Sequence, residues 1–485
     1  MKLRSREVTL KARAIKMAAA LVGIYLCLVA AFYYLAGEQL HLRQSRGELT
    51  MPPAEAGTVE LSQGTVVEQR FTMQIQRLER VEVQWSTYYR PNTGTAVMEL
   101  WDERSGELLL TQRFDVSAIP EGGVTVLTAE APLEGLYEVP LLLRVYADSP
   151  AGSAASPLMS LSGQREEAFL LSLNGEAAEG VLCFSASGED YIWTGLHYWQ
   201  FAAAGLVVLL LFAGAVWNRV RQGKHSYVMN AVLALEKYRF LISQLVSRDF
   251  KTKYKRSVLG MFWSFLNPLL TMCVQYIVFS TIFRSDIVYY PAYLLIGIVS
   301  FNFFNEACGM ALGSIIGNAG LITKVYMPKY IYPLTRVMSS VVNLGISLIP
   351  LFLVCFFTGV RLHRATVLAL YFMVCLIIFS FGLGLLLSSA MVFFRDTQFL
   401  WGVFSMIWMY ATPVFYPESI LPQRFRVVLQ VNPLYHFLKN MRMCILDGLS
   451  PEPVIYFRCF LLALGMLLVG AIVFRQSQDK FVLYL

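Results

Sequence analysis

Lysine is missing from a long stretch of this sequence: none occurs between Lys16 and Lys224. Charge of either sign is scarce, at 15% of 485 residues, against about a quarter in soluble domains. With 56% hydrophobic residues and a mean hydropathy of +0.53, that shortage argues against a soluble enzyme and against a disordered chain. Eight cysteines in 485 residues are too few for a disulfide scaffold. Only five histidines occur, and no His/Cys group has metal-ligand spacing. The sequence also lacks a G-x-x-x-x-G-K-[ST] loop and a G-x-S-x-G elbow, so it has neither a phosphate cradle nor that nucleophile site. It cannot hydrolyse ATP by the P-loop route by itself.

What is present is apolar length. Runs near twenty residues recur, as membrane crossing requires. The net charge of +7 hides a split. Residues 38–195 hold 23 acids and 10 bases, all arginine, for a net of −13, which leaves +20 on the remainder. Basic residues beside spans mark the cytoplasmic side, while a long domain crosses regardless of its charge. The acidic block therefore reads as one folded domain outside the membrane. The bases flank apolar spans, so no nucleic-acid partner is expected.

Residues 1–37 read as a basic cytoplasmic N-terminus (Lys2, Arg4, Arg6, Lys11, Arg13, Lys16) followed by a membrane anchor from Met17 to about Leu35. A signal peptide has the same order, but this run is long, and Phe32, Tyr33 and Tyr34 stand where small residues would be wanted. Residues 38–195 alternate instead of running apolar. Val81, Val83 and Trp85, then Val97–Trp101, Val124–Thr128, Leu136–Tyr146, Phe169–Leu173 and Val181–Ser185 are strand-like, with turn residues between most of them. Short strands at this spacing predict an extracytoplasmic all-β sandwich. Trp85, Tyr88, Tyr89, Arg90, Trp101 and Asp102 are either its core and rim or a glycan-reading face. Residues 196–225 hold a second span, about Tyr198–Trp217, which returns the chain to Arg219, Arg221 and Lys224.

Within residues 226–257, stretch 227–247 reads as an amphipathic interfacial helix, with Val228, Val232, Leu235, Ile242 and Leu245 at helical spacing. A basic patch, Arg248, Lys251, Lys253, Lys255 and Arg256, follows and suits anionic headgroups. Residues 258–485 carry six further apolar segments, near 258–283, 291–313, 331–357, 365–393, 398–416 and 455–474. The fold class is thus a polytopic α-helical membrane protein of about eight transmembrane helices with an inserted β-sandwich, both termini cytoplasmic. Stretch 417–454 is too apolar for a free loop and holds five prolines. It reads as re-entrant helices, which only protein or water cover makes tolerable.

Several motifs then follow in order. They are Arg248-Asp249-Phe250-Lys251, Ser257-Val258-Leu259-Gly260, Asn267-Pro268, Asn318 with Leu321-Ile322-Thr323-Lys324-Val325-Tyr326-Met327-Pro328, Phe393-Phe394-Arg395-Asp396, Tyr410 to Pro417, and Asn432-Pro433. Together they resemble the membrane subunits (permeases) of ABC-2 family polysaccharide exporters, the O-antigen, capsule and teichoic-acid type. The likeness covers about 226–485; residues 1–225 depart from that family's short N-terminus. The resemblance implies a bacterial cytoplasmic (inner) membrane protein that passes lipid-linked polysaccharide outward. It implies a partner P-loop ATPase subunit in two copies, carrying ATP and Mg, and a second copy of this chain, with no cofactor on the chain itself.

Candidate ATPase-coupling residues on that reading are Arg248, Asp249, Asn318, Leu321, Ile322, Lys324, Val325 and Pro328. Gly317, Gly320 and Pro328 let segment 314–330 turn sharply, as they would in an ordinary loop. Glu306 lies inside an apolar segment, where a carboxylate costs about 2.5–3.5 kcal/mol on insertion scales unless it faces protein or water. It is either a path-lining group or half of a structural ion pair; Arg336 is similar or snorkels. Trp401, Phe404, Trp408, Tyr410, Phe415 and Tyr416 offer ring faces to sugar C–H groups along a substrate path, or form a lipid-facing belt. The alternatives are export of a lipid or drug on the same fold, and an envelope-sensing scaffold.

Overall fold

The structure, a computed structural model, describes residues 2–46, 54–161, 169–222, 227–255, 259–283, 289–324 and 327–484. It divides into two compact units, His41–Leu196 and the combination of Met1–Leu40 with His197–Leu485.

The first unit is built of strands β1 (Leu42–Arg46), β2 (Ala56–Gly57), β3 (Val66–Thr72), β4 (Arg77–Ser86), β5 (Thr95–Asp102), β6 (Glu107–Asp115), β7 (Val124–Glu134), β8 (Pro140–Ala147), β9 (Ser156–Ser160), β10 (Leu170–Leu173), β11 (Glu176–Ala178), β12 (Val181–Leu182) and β13 (Phe184–Tyr191). One sheet runs β1-β13-β4-β9-β12, with β2 on β9 and β7 on β4; the other runs β11-β10-β3-β8-β5-β6. Rings from the two sheets meet between them. Phe71 of β3 lies 5.0 Å from Phe184 of β13, and Trp85 of β4 is edge-on to Phe114 of β6 at 5.5 Å. The unit is therefore a β-sandwich whose core joins both inner faces.

Strand β4 shows why the alternation was readable. Val81, Val83 and Trp85 are fully buried, and so is Leu78. Leu78 has the opposite parity, and the register with β7 shifts between Leu78 and Arg80. The bulge turns the strand by one residue and keeps both stretches facing inward. Two expected strands differ in detail. Val181–Ser185 is split at buried Cys183, whose N–H donates to Leu158 O at 2.8 Å. The stretch from Leu136 begins as a turn, closed by Val139 N–H to Leu136 O at 3.0 Å, before β8 starts at Pro140.

The β4–β5 loop is held in a costly shape. Tyr88 and Tyr89 both have φ of 54°, in the left-handed region that costs L-residues about 1–2 kcal/mol each. The Glu121 carboxylate offsets this by accepting from Ser86 Oγ (2.9 Å), Thr87 N (2.7 Å), Thr87 Oγ1 (2.7 Å) and Tyr89 N (3.3 Å). The Thr87 hydroxyl bond leads in holding its pKa down, from 4.5 to about 2. Because the folded value is depressed, the stabilisation is complete above about 4.5 and lost as pH falls through about 2. Thermal midpoints of wild type and Glu121→Gln are expected to differ most above that window and to converge at its acid end.

The second unit is helical. Its main helices are α1 (Lys2–Ala36), α2 (Tyr198–Arg221), α3 (Tyr227–Tyr254), α4 (Phe262–Phe283), α5 (Tyr290–Leu312), α6 (Ile331–Phe357), α7 (Ala369–Phe393), α8 (Thr397–Ala411), α9 (Pro433–Arg442) and α10 (Pro453–Ser477). Among the described residues seven helices are long and apolar enough to cross a membrane, those of α1, α2, α4, α5, α6, α7 and α10. The expected span 398–416 is the exception. Helix α8 has 15 residues, about 22 Å at 1.5 Å each, short of a hydrocarbon core of about 30 Å. It stops because Thr412 turns extended (φ −107°, ψ 130°) ahead of Pro413, which has no N–H to continue the ladder.

Helix α5 lies at the centre, with sixteen of its residues buried, as an all-round apolar helix should. Helices α7 and α10 approach through glycine. A Cβ on Gly470 would collide with Gly382 O, and one on Gly382 would sit 2.5 Å from the Leu467 backbone. Small residues let membrane helices come this close. Gly470→Val is expected to cost about 2–3 kcal/mol, read as a lower thermal midpoint of the purified protein in detergent. Helices α1 and α2 pair through Tyr25 Oη to Ala202 O (2.8 Å) and Tyr198 Oη to Val29 O (2.7 Å). The pair docks on the rest of the unit. Phe32 is edge-on to Tyr456 at 4.7 Å, and Gln39 accepts from Ser450 N (2.6 Å) while donating to Gly448 O (3.3 Å).

Candidate functional site

One end of the helical unit brings together charged residues of α3, α5 and α6. The amphipathic helix α3 extends to Tyr254, so Arg248, Lys251 and Lys253 belong to its last turns and do not follow it. Its apolar residues Tyr238, Leu241 and Ile242 pack on a cluster formed by Ile315, Met327, Ile331, Tyr332, Leu385, Val392, Phe474 and Phe481. The same cluster takes Ile322 from the turn between α5 and α6. Helix α3 and that turn are thus mechanically joined. Both chain ends reach this end too: Arg13 pairs with Glu236 of α3 at 3.2 Å, and Lys329 donates to Gln478 O at 2.5 Å.

Beside this cluster lies an open cleft of about 590 Å³ lined by Arg248, Asp249, Thr252, Lys253, Glu306, Met310, Gly317, Asn318 and Arg336. Asp249, with its side chain 4% exposed, is paired on both oxygens. Oδ2 faces Arg336 Nη1 at 3.2 Å and Oδ1 faces Arg248 Nη2 at 3.0 Å. That same Arg248 Nη2 reaches Asn318 Oδ1 at 3.4 Å, and Asn318 Nδ2 donates to Ser314 O at 2.7 Å. A second carboxylate, Glu306, accepts from Lys253 Nζ at 2.8 Å and Asn343 Nδ2 at 2.5 Å, with Ser340 Oγ at 3.5 Å. Helices α3, α5 and α6 and the α5–α6 turn are therefore tied by charge at one place.

Of the sequence-derived coupling residues, Arg248, Asp249 and Asn318 meet in this cleft. Leu321 and Lys324 are exposed on the turn after it, Ile322 packs inward, and half-buried Pro328 accepts from Ile331 N at 3.1 Å. Val325 lies outside the described residues. Glu306, read as path-lining or ion-paired, makes an ion pair here.

The ring-bearing residues do not share one place. Trp401 and Trp408 turn inward, edge-on to Phe304 at 5.9 and 5.2 Å, and Trp408 Nε1 donates to Asn432 Oδ1 at 2.8 Å. Phe404 and Tyr410 are exposed on the outer face of α8. Phe415 is buried against Phe279, stacked at 5.8 Å, and the hydroxyl of half-buried Tyr416 donates to Tyr410 O at 2.5 Å.

Sequence reasoning missed what holds the turn after α8. Buried Arg442, at the end of α9, sends Nη1 to Pro413 O (2.6 Å) and Nη2 to Val414 O (2.7 Å) and Tyr293 O (3.2 Å). Tyr290 Oη caps Phe415 O at 2.8 Å, Tyr293 Oη caps Tyr416 O at 2.9 Å, and Asn432 Nδ2 binds Thr412 Oγ1 at 2.8 Å. Each backbone carbonyl from Pro413 to Tyr416 thus has a side-chain donor, which is the condition for non-helical backbone inside an apolar bundle. Arg442, the one charged residue in the otherwise apolar run 441–446, was the available signal. Of the partners of Glu306, Lys253 was legible only as part of the basic patch, and Asn343 carried no signal in sequence beyond its polarity.

The comparisons with known proteins fall on this helical unit. Residues 241–446 match the family model described as ABC-2 type transporter. An O-antigen export system permease protein, RfbA of Klebsiella pneumoniae, is 27% identical over 245 residues, 50% of this chain and 93% of that protein. Its namesake in Myxococcus xanthus is 28% identical over 260 residues, 52% of this chain and 98% of that protein. The polysialic acid transport protein KpsM of Escherichia coli is 22% identical over 246 residues, 49% and 93% respectively. The fold and these matches define a transporter membrane domain. Residues 241–446 are similar to the ABC-2 type transporter family, and the β-sandwich precedes the matched segment in the sequence.

Proposed function

We propose that this chain is the permease subunit of an ABC exporter that moves lipid-linked polysaccharide, of O-antigen, capsule or teichoic-acid type, across the bacterial cytoplasmic membrane. The observation that carries this is coverage: half of the chain spans polysaccharide-export permeases almost end to end. The chain has no P-loop of its own, so a separate P-loop ATPase supplies the work, binding ATP and Mg. Two such subunits act with two copies of this chain. The apolar outer faces of α4 and α8, including Ile277, Phe399 and Phe404, are exposed and are available to lipid and to the second copy.

The charged end faces the cytoplasm on this reading. Arg13, Arg219, Arg221 and the bases of α3 concentrate there, as the positive-inside rule requires. Both termini are then cytoplasmic and residues 38–195 lie outside. The exposed residues Leu321 and Lys324 on the turn form the seat for the ATPase, and the cleft around Asp249 carries its movement to α5 and α6. Deleting segment 314–330 is expected to leave membrane insertion intact while the P-loop ATPase no longer co-purifies. Undiminished co-purification contradicts the coupling assignment. A null strain should lose surface glycan and accumulate lipid-linked precursor, whereas a lipid or drug pump would show neither.

A further inference from the structure

Tyr89 is 91% exposed, and its neighbour Tyr88 is 42% exposed. Both stand in the left-handed backbone region, and strain of this kind gathers at functional positions. The loop is not loose. Glu121 accepts from the Thr87 and Tyr89 amides on one side. On the other, Asn92 Nδ2 donates to Thr87 O at 3.0 Å. Arg90 is stacked over the Tyr88 ring at 4.9 Å and bonded to Glu60 at 2.5 Å. The backbone that carries exposed Tyr89 is thus held in a fixed frame whose charges are matched to one another, with Arg90 covering one face of the Tyr88 ring.

The position within the sandwich is also informative. Leu42 of β1 pairs with Tyr191 of β13, so the chain enters and leaves this unit at one end. Strand β4 runs antiparallel to β13, with Arg77 beside Glu189 and Val83 beside Phe184. The Ser86 end of β4, and with it the Tyr88–Tyr89 tip, therefore lies at the opposite end from the connections to the spans. A rigid aromatic face without free charge, placed away from the unit's own membrane attachment, suits the apolar face of a sugar ring, whose C–H groups meet the negative π-face.

We infer that the Tyr88–Tyr89 tip is a sugar-stacking platform that receives the exported glycan outside the membrane, an inference that rests on the export function proposed above. Trp85 and Asp102 are not part of it. Trp85 is core, with Nε1 donating to Thr125 Oγ1 at 2.7 Å, and Asp102 caps the β5–β6 turn by accepting from Arg104 N at 2.8 Å.

The test uses the full chain in lipid nanodiscs. The probe is polysaccharide released by mild acid from the producing cells and freed of lipid. Wild type and Tyr89→Trp are expected to retain it, and Tyr89→Ala to bind at least tenfold more weakly with an unchanged melting curve. Tyr89 is exposed, so a folding defect is not expected from that substitution, and Glu121→Gln gives a second, graded loss through the frame. Equal binding by wild type and Tyr89→Ala overturns the platform, as does a photo-crosslinker at position 89 that captures protein and no glycan. The null strain separates the two levels. Lost surface glycan with equal binding overturns the platform alone, whereas unchanged surface glycan overturns the export reading and the platform with it.

Discussion

Arg442→Met is expected to abolish the stable fold of the turn after α8. Three carbonyls, of Pro413, Val414 and Tyr293, lose their donors at once. A buried acceptor left without a partner costs about 1–3 kcal/mol, so the loss is about 3–9 kcal/mol against a total stability of about 5–15 kcal/mol. Arg442→Lys should recover little. A lysine ammonium is a compact point charge and does not reproduce the fork that reaches Pro413 and Val414 together. Gly297→Ala should mimic the defect, because a Cβ there would sit 2.6 Å from Arg442 Nη2 and 2.8 Å from Val414 O. The double variant should cost less than the sum, since both changes break one contact set. Thermal unfolding in detergent reads all three; a wild-type midpoint for Arg442→Met contradicts the account of the turn.

The second large effect is expected at Asp249. Removing one partner of a buried ion pair costs about 3–5 kcal/mol, mostly because the remaining charge is left uncompensated. Asp249→Ala strands Arg336 on α6 and releases Arg248 from its place beside Asn318. Helix α3 then loses its charged tie to α6 and the turn, while the apolar cluster around Ile315 and Tyr332 still holds it. Insertion and ATPase association should therefore survive, and surface glycan should fall at least tenfold. Asp249→Glu should restore part of it, because the carboxylate is kept. Wild-type export by Asp249→Ala would show that the cleft does not transmit motion. The Glu306–Lys253 pair is more exposed, with side chains 28% and 41% accessible. Lys253→Ala should accordingly have the smaller effect.

Much of this architecture was legible in the sequence because two periodicities are strong. Alternation of Val81, Val83 and Trp85 revealed the sandwich, and runs of twenty apolar residues revealed the spans. Failure came where short-range composition conflicts with long-range contacts. Segment 398–416 is apolar enough for a span, yet Pro413 and the donors arriving from Arg442, Tyr290 and Tyr293 end its helix at Ala411. Those donors lie up to about 125 residues away in sequence, beyond any local pattern. The cleft was half visible. Arg248, Asp249 and Asn318 stood out as motif residues, but their meeting depends on how α3, α5 and α6 pack. Glu306 stood out as a carboxylate in an apolar helix, and only the packing showed Lys253 and Asn343 answering it. The aromatic residues of α8 shared a segment without sharing a surface, because successive residues on a helix face different directions.

Reconstitution decides whether this chain is a conduit driven by another subunit's nucleotide chemistry. Purified chain is placed in liposomes with lipid-linked polysaccharide from the producing cells, with and without its P-loop ATPase. Transfer of glycan into the protected lumen is followed alongside phosphate release. The account predicts no ATP turnover by the chain alone, and transfer only when ATPase and ATP are both present. ATP hydrolysis by the chain alone, or equal transfer without nucleotide, would contradict it.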